Sequence, residues 1–187
     1  GISAETAFAA FSWSLLVAGV PATPVGALVD RHGGRYVMAA GSLASALGLA
    51  LLSRAGGAAS YFIAWSIIGL AMSLTLYEAA FATINRKVDA GAPRAISTLT
   101  LFAGFASTIF WPLTLAIASR LGWRDTYLAY AALQLAACLP LHLWLGRDAL
   151  RAPACADAPR DSHTLAEAIR HPAFWKLALA FSANIFI

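Results

Sequence analysis

Long apolar stretches without charge govern what this chain can fold into. Residues 7–29 carry no charged side chain, and further apolar segments follow at 36–53, 58–85, 95–119 and 126–145, with the start of a sixth near Phe174. The third contains one acid, Glu78. A helix needs about 20 such residues to cross roughly 30 Å of hydrocarbon; the five complete segments reach that length, the second only just. Segment length and the lack of strict alternation exclude transmembrane strands. Composition points the same way: 60% of residues are apolar and 12% charged, about half the charged share of a soluble domain. A disordered chain is excluded as well, because disorder goes with few apolar residues and much charge. The fold class is therefore all-α, a polytopic transmembrane helix bundle.

The charged residues orient it. Arg31, Arg35, Arg86, Lys87, Arg94, Arg147, Arg151, Arg160, Arg170 and Lys176 fall in or beside the first, third and fifth loops, whereas only Arg54, Arg120 and Arg124 fall on the other side. Ten basic residues against three assign the loops at 30–36, 86–94 and 146–172 to the cytoplasm. In a soluble protein the net charge of +4 would suggest nucleic acid; clustered between spans it marks topology, and no nucleic-acid partner is expected. Trp123, Tyr127, Trp144 and Trp175 lie near segment ends, as an interfacial belt does. Trp13, Trp65 and Trp111 lie deeper, where bulk packing or lipid contact is the plainer role. Cys138 and Cys155 share no ligand spacing with histidine, so neither a metal nor a cofactor is called for. The chain opens at Gly1 without an initiator Met or a basic leader and stops inside the apolar run 177–187, so it reads as a piece of a longer chain.

Between the first two segments stands Gly26-Ala27-Leu28-Val29-Asp30-Arg31-His32-Gly33-Gly34-Arg35-Tyr36. Gly26 lets another helix approach closely. Gly33 and Gly34 supply the freedom for a tight reversal. Asp30 ends its own helix, where the dipole disfavours an anion, so it calls for a basic partner or the amino end of another helix. Arg31 and Arg35 can snorkel to headgroups or hold nearby acids. The pattern Gly-x-x-x-Asp-Arg-x-Gly-x-Arg resembles the signature loop of the major facilitator superfamily, with Tyr36 where the family usually has a second basic residue.

That resemblance implies a partial family fold. The segments become family helices two to six plus the start of helix seven, without helix one and nearly all of the second half. Residues 1–145 form the amino-terminal bundle. Residues 146–172 form a cytoplasmic linker whose Thr164-Leu165-Ala166-Glu167 fits a capping box opening a short amphipathic helix. Residues 173–187 begin the second bundle. Gly122-Trp123-Arg124 also looks like a common family turn, and Phe174-Trp175 after His171-Pro172 resembles bacterial monocarboxylate and oxalate-type carriers. The loop implies a conformational latch of Gly26, Asp30, Arg31, Gly33 and Arg35, with Asp30 docking onto the missing second half and Gly26 as the contact point. Trp65 stands where many proton antiporters carry an Arg, and Phe110-Trp111-Pro112 replaces their paired glycines, which tilts the reading toward uptake or exchange.

Candidate coupling or substrate residues are Glu78, Tyr77 and Trp111. A mid-helix acid costs roughly 2.5–3.5 kcal/mol on insertion scales, so Glu78 needs a reason. It is a protonatable group facing the cavity, a brace for the loop through Arg31 or Arg35, or an inert protonated residue, and the sequence leaves these open. Thr100, Gly104, Ser107 and Trp111 share one helical face, a pattern that favours close packing over substrate contact. Pro112 is expected to kink its helix, and Pro21, Pro24 and Pro140 to bend theirs. No phosphate-binding loop, HExxH pair or nucleophile elbow appears, and no serine and base of matching depth were found. The expected function is secondary transport of a small solute, for which an organic anion is one candidate, by alternating access, and not an enzyme. The alternative is a non-transporting membrane sensor that retains the fold. The expected location is the bacterial inner membrane. In a protein whose own cysteines are replaced, a cysteine at His32 should react with an impermeant maleimide only after cells are opened, and one at Leu121 in intact cells. The reverse pattern contradicts the orientation.

Overall fold

A computed structural model of the chain describes residues 2–87 and 91–145. They belong to the first of two compact units, Gly1–Ala149; the second, Leu150–Ile187, lies outside the described residues. The linker and the start of the last span expected at 146–172 and 173–187 therefore lie outside as well. The helices are α1 (Ala4–Gly19), α2 (Ala22–His32), α3 (Gly34–Ser53), α4 (Ala58–Thr75), α5 (Tyr77–Lys87), α6 (Ala92–Leu133) and α7 (Leu139–Trp144), with one π turn, Gln134–Cys138, between the last two. No strand occurs among the described residues.

The first apolar segment forms α1 and α2, bent by 50°. Pro21 supplies the break as the residue before α2, because its ring cannot continue α1. Pro24 sits in the first turn of α2, where its missing N–H leaves no bond unmade. The third segment is also broken. Leu76 is extended at ψ −167° between α4 and α5. No glycine or proline announces this break. Pro140 stands one residue beyond the π turn, after Leu139; a wider turn relieves the clash its ring would make with a carbonyl four residues back. Pro112 leaves α6 unbroken, since the helix's non-helical residue is Gly122.

Gly122 turns two segments into a hairpin. Its φ of 81° and ψ of 165° lie in a region essentially confined to glycine. Were α6 continuous, Phe110 and Tyr130 would stand about 30 Å apart. Their ring centroids are 6.3 Å apart, and the Thr114 and Tyr130 hydroxyls are hydrogen-bonded. The chain thus doubles back, and residues 92–121 and 123–144 are separate arms. By length and composition Gly34–Ser53, Ala58–Asn85 and Ala92–Trp144 can each cross a membrane, and the bent α1–α2 pair adds a fourth. Dividing the longest at Gly122 gives five, the number of complete segments in the sequence.

α3 is the hub. Gly34, Gly41 and Gly48 recur every seven residues, two helical turns, and so line one face. A side chain on Gly48 would come within 2.6 Å of Ile68 Cγ1 and 3.2 Å of the Ile68 backbone nitrogen. On Gly41 it would strike Thr75 and Leu74, and on Gly34 it would strike Thr83. These contacts keep a constant antiparallel register, so α3 lies flush on α4 and α5. On its other side, α4 carries Gly69, where an added side chain would meet the Ser14 backbone of α1. Small residues of this kind let helices approach where lipid supplies no hydrophobic drive. One buried cluster, Ala10, Leu52, Ala55, Tyr61 and Ala64, lies toward the end of α3 near Ser53. The other, Val25, Val29, Val37, Met38 and Ala79, lies at its start.

The hairpin is tied to the hub at both depths. Arg124 Nε donates to Ser53 O at 3.0 Å and Nη2 to Ala55 O at 2.8 Å, so one guanidinium satisfies carbonyls that the end of α3 leaves without helical partners. The same guanidinium stacks over Trp123 at 4.3 Å. Farther along, Ser42 Oγ and His142 Nδ1 are 2.7 Å apart. The first arm of α6 stays open by contrast: Leu101, Phe102 and Trp111 are 65%, 71% and 73% exposed.

Gly48→Leu is expected to cost at least about 1–3 kcal/mol through overpacking against α4 backbone, read as a lower unfolding temperature in detergent. Gly104→Ala, where the added carbon meets open space, should leave that temperature unchanged or raised. Equal loss in both variants contradicts the seam.

Candidate functional site

The elbow between α2 and α3 is built from a helix end and a glycine reversal. α2 closes with the Gly33 N–H donating to Val29 O at 2.8 Å. Gly33 then takes φ 80° and ψ 151°, which a side chain would strain. Arg31 and His32 occupy the last turn of α2, where cations favour the negative helix end. Asp30 precedes them and is exposed.

The two adjacent glycines do different work. The sequence reading gave both Gly33 and Gly34 to the reversal, but only Gly33 has positive φ. Gly34 is already the first residue of α3 and lies buried against Thr83 of α5; its role is close approach. Thr83 turns its hydroxyl onto the Ala79 carbonyl at 2.7 Å, satisfying the group inside the buried contact. The elbow is therefore braced from behind by α5. In front it is open: an added carbon on Gly26 would meet nothing within 4 Å. Among the described residues, no helix makes the close approach that the sequence reading assigned to Gly26.

Arg35 is partly buried one residue beyond Gly34. Its guanidinium lies 5.3 Å from the Tyr36 ring centroid, and Nε is buried without an acceptor among the described residues. Tyr36 itself is 57% exposed.

The intramembrane candidates sit elsewhere. The break at Leu76 places Tyr77 and Glu78 in the first turn of α5. This corrects the mid-helix placement of Glu78: the amino end of a helix favours an anion, and the cost argued for a mid-helix acid is reduced. The Glu78 side chain lies outside what the structure describes. Tyr77 is 42% exposed and stacks on Phe81 at 5.4 Å. Trp111 projects from the first arm of α6 and is more exposed than Tyr77. The stripe containing it is no packing seam among the described residues, since an added carbon on Gly104 meets open space and Thr100 turns its hydroxyl back onto Ile96 O. The elbow residues and the intramembrane candidates thus lie on different elements, and none of them lines the cavity of about 600 Å³ formed by Ala7, Tyr61, Trp123, Arg124 and Tyr127 with neighbours at the far end of α3.

Sequence reasoning missed the Ser42–His142 pair. Ser42 is fully buried, so a serine and a base do share a depth, contrary to expectation. The pair is nonetheless a poor hydrolase. Ser42 lies mid-helix, where backbone N–H groups are committed to helical bonds and none is left to stabilise an oxyanion.

Residues 1–187 match the family model described as Major Facilitator Superfamily. No curated protein and no solved structure matches the chain.

Gly34→Ala should lower the unfolding temperature, with a cost of about 1–3 kcal/mol from overpacking, and Thr83→Ala in the same chain should recover part of it by removing the two nearest atoms. Gly26→Ala should leave folding untouched. A Gly34→Ala variant as stable as the parent contradicts the brace.

Proposed function

The chain belongs to the Major Facilitator Superfamily, and on that footing we propose that it forms most of the amino-terminal half of a secondary transporter that moves a small solute by alternating access. Family and apolar helices together make it an integral, multi-pass membrane protein. We assign residues 1–145 to that half, 146–172 to the linker and 173–187 to the start of the second bundle, with the elbow facing the cytoplasm of a bacterial inner membrane. The elbow carries the reading: it is braced from behind through Gly34 and Thr83, open in front at Gly26, and has Asp30 on its exposed surface. A topology marker needs no such stiffening. A docking surface for a second lobe does, because a gate shifts an equilibrium only through contacts that differ between its two states.

Gly33 supplies the reversal and Arg31 the charge beside the acid. The α4–α5 break supports Tyr77 and Glu78 as coupling or substrate groups. α5 is about 16 Å long, so its amino end lies near the middle of a roughly 30 Å core, and carrier sites of this superfamily lie at the midplane, with broken helices common in transporters. Trp111 is a weaker substrate contact, argued from its exposure. An organic anion as substrate follows from the carrier-like resemblance of the last segment. Without a phosphate-binding loop the energy comes from exchange or an ion gradient.

Solute counterflow into liposomes holding the full-length protein tests the reading. Saturable exchange of one small solute is expected, and binding without flux for every ligand would instead support a sensor that keeps the fold. In the exchanging protein, Asp30→Asn should slow counterflow at least tenfold and move cysteine accessibility toward the inward-open pattern. Parental flux and accessibility would remove Asp30 from the gate.

A further inference from the structure

The cavity at the far end of α3 belongs neither to the elbow nor to the broken α4–α5 span. It measures about 600 Å³, and its lining includes Ala7, Gly56, Tyr61, Trp123, Arg124 and Tyr127. That volume lies in the range of sites for small organic molecules. α3 is about 30 Å long, so the cavity and the elbow stand at opposite ends of that helix. Along α4, about 21 Å separates Tyr61 from Thr75, beyond which the chain reaches Tyr77.

Its walls are aromatic rings held by other rings. Tyr61 stands edge-on to Trp65 with centroids 6.2 Å apart, and Trp65 stands edge-on to Phe11 at 5.6 Å. Tyr127 stands edge-on to Trp123 at 6.0 Å. Such pairs are favourable beyond the area they bury, and they set the ring planes before any ligand arrives. The Tyr61 and Tyr127 side chains also interact with each other, so two phenols converge on one space. Arg124 supplies the charge. Its Nε and Nη2 donate to Ser53 O and Ala55 O, which occupies one side of the guanidinium. Of the five N–H donors such a group carries, three remain. They include the end-on pair on Nη1 and Nη2, a fork that takes a carboxylate bidentately. The Trp123 ring covers one face of the group at 4.3 Å. No carboxylate pairs with Arg124 among the described residues, and its side chain stays open to solvent. Around it Arg54 and Arg120 add positive charge at this end of the bundle, against Glu5 and Asp125.

We propose that this cavity binds a small aromatic carboxylate, with the carboxylate on the end-on fork of Arg124 and the ring of the ligand against Tyr61 and Tyr127. Arg124 then has two tasks on two edges: it ties the hairpin to the end of α3, and it presents a guanidinium already fixed in place, so that little ordering remains to oppose binding. The walls and the fork each exclude a class of ligand. A neutral aromatic solute finds the rings and leaves the fork empty. An aliphatic carboxylate finds the fork and loses the ring contacts. A cation meets the guanidinium and is repelled. The inference goes beyond the transport reading, since the site lies at one end of the bundle and its occupancy requires no flux.

Titration calorimetry on the full-length protein in nanodiscs, with benzoate as the probe, tests the site. Saturable binding is expected, with benzamide, the neutral analogue of the same shape, at least tenfold weaker. Gly56 lines the cavity, and an added carbon there meets nothing within 4 Å, so Gly56→Phe fills the space without touching Arg124. Benzoate affinity should fall at least tenfold in that variant while the unfolding temperature holds. Ala7→Phe fills the cavity from α1 and serves if the glycine variant does not fold. Tyr127→Phe keeps the ring, loses the hydroxyl and should weaken benzoate about twofold to tenfold, the worth of one hydrogen bond. Benzamide binding as tightly as benzoate, or parental benzoate affinity in the folded filled variants, overturns the proposal. The result is separable from transport. Counterflow in a protein that binds no benzoate would overturn this site alone, and benzoate binding that is lost on filling the cavity, in a protein without counterflow, would support the site and count against transport.

Discussion

The fold depends on how closely α3 can lie against α4. In lipid no hydrophobic drive presses helices together, and association rests on close packing. Gly34, Gly41 and Gly48 remove side chains from one face of α3, and Thr83, Leu74, Thr75, Ile68 and the Ala64 carbonyl fill the space. Gly69 repeats the device on the far side of α4, against the Ser14 backbone. A three-helix slab of α1, α4 and α3 results, and the hairpin of α6 and α7 hangs on α3 through Arg124 and His142. The elbow inherits its position from the end of that seam, where Gly34 meets Thr83.

A bilayer also restricts where the chain can turn. Lipid-exposed backbone inside it must be bonded within a helix, so reversals belong at the faces and must be short. Gly33 and Gly122 meet that demand with the same backbone conformation. At Gly122 an arginine converts the exposed end of a neighbouring helix into a bonded one. Beside Gly33, Arg35 is held over the Tyr36 ring.

Much of this was legible in the sequence. The apolar segments gave the five crossings, because hydrophobic length is the strongest signal a membrane chain carries. The glycine and charge spacing gave the elbow and its reversal at Gly33. Three features were less accessible. The seven-residue glycine repeat was present, but an isolated glycine looks alike in a turn and in a seam; only the neighbouring atoms separate Gly33 from Gly34. The break at Leu76 has no local cause in glycine or proline, since its neighbours are ordinary helix formers, so Glu78 read as mid-helix. The Ser42–His142 contact joins residues far apart in the chain, and no local spacing encodes it. Pro112 stays inside its helix, and the chain reverses at Gly122 instead.

A stiff elbow with an open front is a claim about what lies before it. Disulfide trapping measures that directly, in full-length protein with Cys138 and Cys155 replaced, between a cysteine at Gly26 and cysteines placed one by one along the helices of the other half. The account predicts cross-links to one face of one helix, repeating every three or four residues, that form without solute and diminish when the transported solute is added. A cysteine at 26 that never cross-links, and that reacts with a small maleimide equally fast in every state, would contradict it.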